Sequence, residues 1–337
     1  MEPHGKMGYN FGTDILVISL SHPLNLLTRT DSMDLKRRQF LGATAVGAGV
    51  LLAGQSPVNA AETQKIKPTK PKSTDPVALV PLTSTVWCSR IGFGTGMRGY
   101  NRESNLARMD RNKALDLVRF AYDCGIRLFD MADLYGTHQL ICEALQGKPR
   151  DSFVLSTKVW GHKGGLPEDD RPTADLVVKR FLQECQTDYI DVVQLHCMVN
   201  DQWTTEHSGQ MEFLEKLKRQ GLIRAHGVSC HANSALNLAA ETAWTDVVHV
   251  RINPKGVNME GTVEEVVVLT RKIHDAGIGT IAMKVIGEGK FGDDPALRKE
   301  SAKFVANLDC IDAMIVGFEE REHITELLMN VETALKS

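Results

Sequence analysis

Residues 126–135 read Ile-Arg-Leu-Phe-Asp-Met-Ala-Asp-Leu-Tyr. An apolar run that ends in Asp130, with Tyr135 five residues on, places an acid and a phenol just past the end of a buried strand. Two more polar residues close apolar runs in the same way. Lys158 ends "FVLSTK" and His196 ends "YIDVVQLH". Asp, Tyr, Lys and His, each at the C-terminal edge of a strand, form one candidate constellation.

Outward from this stretch the chain alternates regularly. Apolar runs begin near Ile91, Ile126, Phe153, Tyr189, Ile223, Val247, Gly279 and Ala313. Segments of helical period lie between them, such as Leu115/Val118/Tyr122, Met211/Leu214/Leu217 and Val263/Val266/Val267. Gly125, Gly221 and Gly277 each close such a segment before the next apolar run, because glycine enters the left-handed region cheaply. Eight strand–helix units in a run of about 260 residues predict a (β/α)8 barrel of about the usual size. A doubly wound open sheet is the alternative. In a barrel the chemistry sits at the C-terminal strand ends, where the four polar residues fall.

With 337 residues, 42% hydrophobic and 24% charged, the chain has an ordinary globular composition. A net charge of −3 gives no basic excess to neutralise phosphates, which argues against nucleic-acid binding. The seven cysteines (88, 124, 142, 185, 197, 230 and 310) form no CxxC pair, so neither a zinc ribbon nor a disulfide scaffold is expected.

The first 78 residues differ from the rest. "DLKRRQFL" at 34–41 precedes the Gly/Ala-rich apolar segment "GATAVGAGVLLAG". Twin arginines before such a segment resemble a twin-arginine (Tat) export signal over 33–60. The apolar run from Phe40 to Ala53 is short for a stable membrane anchor. Val58-Asn59-Ala60 offers small residues for cleavage after Ala60. Met33 is a candidate start, which leaves 1–32 as a leader without a role. Residues 61–78, "ETQKIKPTKPKSTDP" and its flanks, are expected to be a flexible linker, and 79–337 the barrel. Transient contact with the Tat translocase and an extracytoplasmic, periplasmic location follow if the signal is used. A cytoplasmic location follows if it is not.

Other motifs carry less. "GFGTG" at 92–96 lacks the GxGxxG spacing and opens no helix, so a strand whose glycines let a ligand or a neighbouring backbone approach closely is expected rather than a phosphate cradle. Cys197, Cys230 and His231 lie near His196 in sequence but without metal-ligand spacing. They are expected to line the pocket, with no metal. His249, within "VVHVRIN", is either a core histidine or faces a ligand.

The four polar residues suit one chemistry. A tyrosine hydroxyl is a poor acid near neutrality, and a nearby ammonium stabilises its phenolate. Lys158 is the candidate ammonium, with Asp130 holding it charged and oriented. A histidine beside the phenol orients a carbonyl or relays the proton. Such a set suits hydride delivery to a carbonyl carbon while the tyrosine protonates its oxygen.

"SRIGFGTG", "GIRLFDMADLYG", "FVLSTKV", "TDYIDVVQLH" and "GVSCH" occur in the order of the aldo-keto reductase signatures, and the resemblance covers about residues 79–337. It implies a TIM barrel that binds a nicotinamide cofactor without a Rossmann domain. It also implies Tyr135 as proton donor, tuned by Asp130 and Lys158, with His196 at the carbonyl. Ser229 stands where the family holds the nicotinamide carboxamide. Cys230 replaces the family's Asn, His249 its Gln, and Met283 its stacking aromatic; a thioether still packs on a flat ring. Lys284 is a candidate for the pyrophosphate. "VGFEEREHITELLMN" resembles the cofactor-phosphate loop, with Gly317 at its turn, then Glu319, Glu320, Arg321 and His323. NADP(H) is the family default. The two glutamates suit a ribose hydroxyl and admit NAD(H).

The loop after His196 and the end of the chain after its last helix suggest an open pocket for a small carbonyl or alcohol. No C-terminal CxxC implies no iron–sulfur cluster. Two other classes stay open: a nicotinamide-binding sensor or partner subunit, and a lyase using Lys158 as a Schiff base.

Overall fold

A computed structural model describes residue 65 and residues 67–337; the expected leader and signal, 1–60, lie outside the described residues. The antiparallel hairpin of β1 (Leu79–Pro81) and β2 (Trp87–Ser89) precedes eight parallel strands. These are β3 (Ile91–Gly94), β4 (Leu128–Asp130), β5 (Val154–Val159), β6 (Ile190–Met198), β7 (Ile223–Cys230), β8 (Val247–Arg251), β9 (Gly279–Met283) and β10 (Ala313–Val316). They close in the order β10-β3-β4-β5-β6-β7-β8-β9. The (β/α)8 barrel is therefore the fold, and the open sheet is excluded.

Helices follow every barrel strand. They are α1 (Asn105–Arg108) and α2 (Arg111–Asp123), α3 (His138–Ala144), α4 (Ala174–Cys185), α5 (Trp203–Glu206) and α6 (Ser208–Arg219), α7 (Asn233–Glu241), α8 (Val263–Asp275), α9 (Pro295–Ala306) and α10 (Arg321–Lys336). The predicted stop at Gly277 has φ +77°, and a Cβ there would lie 2.0 Å from the Lys65 carbonyl oxygen. No helix of the described residues is long and apolar enough to cross a membrane.

Two cores follow from the period of two along each strand. Phe129, Leu155, Val193, Val228 and Val250 point outward, against the helices. Leu128, Val154, Val192, Ala225 and Val247 point inward and fill the barrel's lower layer. Two residues further along, the inward positions turn polar: Asp130, Ser156, Gln194 and His249, then Lys158, His196 and Ser229. The hairpin adds Val80, Leu82, Val86 and Cys88 to the inner core and plugs the barrel's N-terminal end.

The linker expected over 61–78 is not free where it is described. Lys65 Nζ donates to the Thr245 carbonyl (2.5 Å) and Asp246 Oδ1 (2.9 Å). Lys67 Nζ reaches the buried Asp312 Oδ2 (2.6 Å), and Lys70 Nζ the Ile311 carbonyl (2.6 Å). Burial lowers the Lys70 ammonium to about 8. These acceptors lie just before β8 and β10, so the lysines strap the segment across the base of the barrel. A charge run reads as solvated in sequence because its partners lie some 180–245 residues away.

Candidate active site

β4 and β5 are neighbours in register, with Asp130 opposite Ser156. Lys158, two residues on, points the same way and returns to the Asp130 carboxylate. Its Nζ lies 2.7 Å from Oδ1 and 2.6 Å from Oδ2, and donates also to the Met131 carbonyl at 3.0 Å. Ser156 Oγ donates to Asp130 Oδ1 at 3.0 Å. Burial alone would raise the Asp130 carboxyl, but the charge of Lys158 holds it well below the usual carboxylate range. Burial draws the Lys158 ammonium down and Asp130 opposes this. The bidentate geometry is that of an ion pair.

Tyr135 closes a single 3₁₀ turn, Asp133–Tyr135, directly after β4. Its hydroxyl stands 3.4 Å from His196 Nε2, with the rings edge to face at 5.7 Å. The glycine-rich stretch after β3 packs on this ring. A Cβ at Gly96 would lie 2.4 Å from Tyr135 Cζ, and one at Gly99 2.4 Å from Cδ1. The close neighbour at Gly96 and Gly99 is therefore a side chain, the Tyr135 phenol, rather than the ligand or backbone expected at 92–96.

His196 sits before an irregularity of β6, where the register with β7 shifts between Leu195 and Met198. Cys197 takes φ +69° there, and its N–H donates to Ser229 Oγ at 2.8 Å. A bulge of this kind re-aims a strand end. Burial, then the charge of Lys158, holds His196 well below its ordinary pKa, so the imidazole is neutral. Trp160 (ring centres 5.3 Å apart) and His231 (6.5 Å) flank it.

Tyr135 does not have the lowered pKa expected from a nearby ammonium. Burial, then the negative charge of Asp130, raises it. Lys158 spends its donors on Asp130 and Met131, so the phenol stays protonated.

A cleft of about 640 Å³ opens beside Tyr135, with Asp130 and Lys158 at its floor. That size suits a small-molecule or cofactor site. Of the cofactor positions expected from the sequence, Met283, Lys284 and Gly317 line it, as do Glu319 and His323. Ser229 and His249 are fully buried, inward-facing, and do not reach the cleft. Cys230 must be corrected. It follows Ser229 directly, so the strand period turns it outward into the helix-side core. It lines no pocket, and Cys197, Cys230 and His231 do not converge.

Glu320 and Arg321 are a second correction. Glu320 pairs with Lys113 at 2.5 Å, and the Arg321 guanidinium stacks 5.1 Å above the Phe120 ring, both on the α2 side. The cleft takes instead His323, Glu326 and Asn330 from α10, at the spacing of one helix face. Arg298 of α9 was not foreseen. It lines the cleft and donates to both carboxylate oxygens of Glu326 at 2.8 Å. Lys284 is likewise paired with Glu288 at 2.5 Å. Arg98 and Lys290 line the cleft with no ion-pair partner among the described residues.

The aldo/keto reductase family model matches residues 90–314. The chain belongs to the aldo/keto reductase family. Within it, the chain is 31% identical over 155 residues to the uncharacterized oxidoreductase YqkF of Bacillus subtilis, covering 44% of this chain and 46% of that protein. It is 31% identical over 171 residues to the NADH-specific methylglyoxal reductase of Escherichia coli, covering 44% and 51%. The chain thus spans about half the length of these curated relatives. A Pseudomonas aeruginosa protein solved as a candidate aldo-keto reductase superposes with TM-score 0.62 at 25% identity, over 76% of this chain and 95% of that one.

Gly96→Ala is expected to keep the fold and drive the Tyr135 ring away from His196, since the cleft gives the ring room to move. A crystal structure of the variant checks this. A Tyr135–His196 distance still at 3.4 Å would show that the glycine loop does not position the phenol.

Proposed function

We propose that this protein is a nicotinamide-dependent oxidoreductase that interconverts a small aldehyde or ketone and its alcohol. The observation that carries this is the protonated Tyr135 hydroxyl beside the neutral His196 imidazole, at the edge of a cleft floored by the Asp130–Lys158 pair. When bound, the nicotinamide supplies or accepts the hydride. The neutral Tyr135 hydroxyl is placed to donate its proton to the carbonyl oxygen as electrons move onto it. His196 Nε2 orients that oxygen from the other side. Asp130 and Lys158 fix the floor against which both groups sit.

The cleft fits the cofactor in part. Met283 offers a polarisable face for the ring, and Arg98 and Lys290 offer unpaired cations for the pyrophosphate. The adenosine end would meet the loop before α10, where Glu319 stands, and the α10 face that carries Glu326. Arg298 also lines this part of the cleft, and Glu326 already holds it. NADP(H) is the family cofactor. These carboxylates favour acceptance of NAD(H); one relative is named an NADH-specific reductase.

A Schiff-base role for Lys158 has little support, because its nitrogen is buried and held by three acceptors. A pure binding role has no need of a phenol placed against an imidazole. Tyr135→Phe is therefore expected to lose nearly all carbonyl reduction while nicotinamide fluorescence still reports NADH and NADPH binding. Full activity in Tyr135→Phe would remove Tyr135 as the acid. A strong preference for NADPH in the same titration would sink NAD(H) use.

We further propose that residues 33–60 direct export by the twin-arginine route, with cleavage after Ala60. The support is the order of Arg37-Arg38, the apolar run and Val58-Asn59-Ala60. That route carries folded proteins, so the cofactor travels bound and is regenerated in place by a second substrate. Mass analysis of protein recovered from outside the cytoplasm is expected to show Ala61 first and a bound nicotinamide. An intact N-terminus, or recovery only from the cytoplasm, would contradict the export reading.

A further inference from the structure

Lysine has three N–H donors. In Lys158 they face Asp130 Oδ1 (2.7 Å), Asp130 Oδ2 (2.6 Å) and the Met131 carbonyl (3.0 Å). The Tyr135 hydroxyl receives none, although Lys158 Nζ stands only 5.6 Å from the centre of that ring. The two oxygens of Asp130 are unequally served. Oδ1 has Lys158 at 2.7 Å, Ser156 Oγ at 3.0 Å and His249 Nε2 at 3.1 Å around it. Oδ2 has Lys158 alone among the described residues.

His249 is fully buried on an inward position of β8. Neither of its ring nitrogens has a hydrogen-bond partner among the described residues. Nε2 is near Oδ1 but off the line a hydrogen bond requires. A buried donor left unpaired is costly, so the ring gains by turning onto Oδ1 whenever that oxygen becomes free.

We infer that His249 is a positioning residue that takes over Asp130 Oδ1 through Nε2–H as Tyr135 gives up its proton, releasing one N–H of Lys158 to the phenolate. The exchange breaks one hydrogen bond and forms two, and no covalent bond changes in it. The phenolate, half-buried and facing Asp130, Cys197 and Glu288, is the species that most needs a cationic donor. The charged groups facing His249 are Asp130 from β4 and Lys158 from β5. Burial, then Lys158, lowers its pKa, so the ring donates in its neutral form. Neutral Gln194, which bonds the Val228 and Val247 carbonyls at 3.1 Å, adds no charge to this layer.

The inference rests on Tyr135 as the acid, and two experiments separate the two ideas. NMR of isotope-labelled histidine in the whole protein reads the His249 tautomer without any turnover. Nε2–H is expected across neutral pH; Nδ1–H would overturn the inference whatever the acid is. The second experiment is kinetic. His249→Leu is expected to lower kcat by about tenfold, roughly 1.4 kcal/mol of barrier, with KM for cofactor unchanged and a larger solvent deuterium isotope effect. His249→Gln, whose amide can still reach Oδ1, is expected to restore most of the rate. Should His249→Leu fail to fold, His249→Asn, too short to reach, takes its place. An unchanged kcat, or a loss that Gln does not restore and that leaves the isotope effect alone, would overturn the inference.

Discussion

Two opposite charges meet inside this barrel, and most of the site is arranged around keeping them there. Charges withdrawn from water persist only when paired and fully hydrogen-bonded. Asp130 and Lys158 meet both conditions. Adjacent strands bring them together, Ser156 and the Met131 carbonyl satisfy what remains, and removing either partner would strand the other at a cost of about 3–5 kcal/mol. Such a pair cannot drift, so it fixes the floor of the cleft. Everything reactive is then set relative to it by short pieces of chain. Tyr135 is one tight turn beyond Asp130, and His196 lies on the next strand past Lys158.

The same pair explains why the tyrosine keeps its proton: burial and the facing Asp130 carboxylate raise its pKa rather than lower it. Its hydroxyl faces a carboxylate whose counter-ion has no donor left over. The proton therefore stays on the phenol oxygen in the resting site. Glycines at 96 and 99 then become a geometric necessity, since the phenol occupies the space their side chains would need. At the opposite end of the barrel a different set of charges does mechanical work. Lys65, Lys67 and Lys70 tie the incoming segment to Asp246, Asp312 and strand-end carbonyls, which closes the base beneath the hairpin.

Much of this was legible in the residues, and the rest was not for identifiable reasons. The eight strands could be counted because apolar runs alternate with segments of helical period, three of which end in glycine. The four site residues could be chosen because inward parity and a strand's C-terminal end coincide at Asp130, Lys158 and His196. Cys230 misled because it is next to Ser229 in the chain, whereas a strand turns neighbours to opposite faces. Glu320 and Arg321 misled in the same way on a helix. His323, Glu326 and Asn330 share the face that meets the cleft, and the helical spacing of three and four would have found them. Arg298 carried no signal, since only the fold brings α9 against α10. The lysines at 65, 67 and 70 looked solvated because their acceptors are remote in sequence. His249 was open between a core residue and a ligand contact. Its inward parity beside Asp130 makes it a third thing, a neighbour of the ion pair.

The central claim is that Tyr135 and His196 converge on one oxygen above the Asp130–Lys158 pair. A crystal structure with a nicotinamide cofactor and an unreactive carbonyl analogue tests it most directly. The expected result has the analogue's oxygen about 3 Å from both Tyr135 Oη and His196 Nε2, the nicotinamide against Met283, and the ion pair intact. An analogue whose oxygen meets neither group, or a nicotinamide lying outside the cleft beside Tyr135, would contradict it.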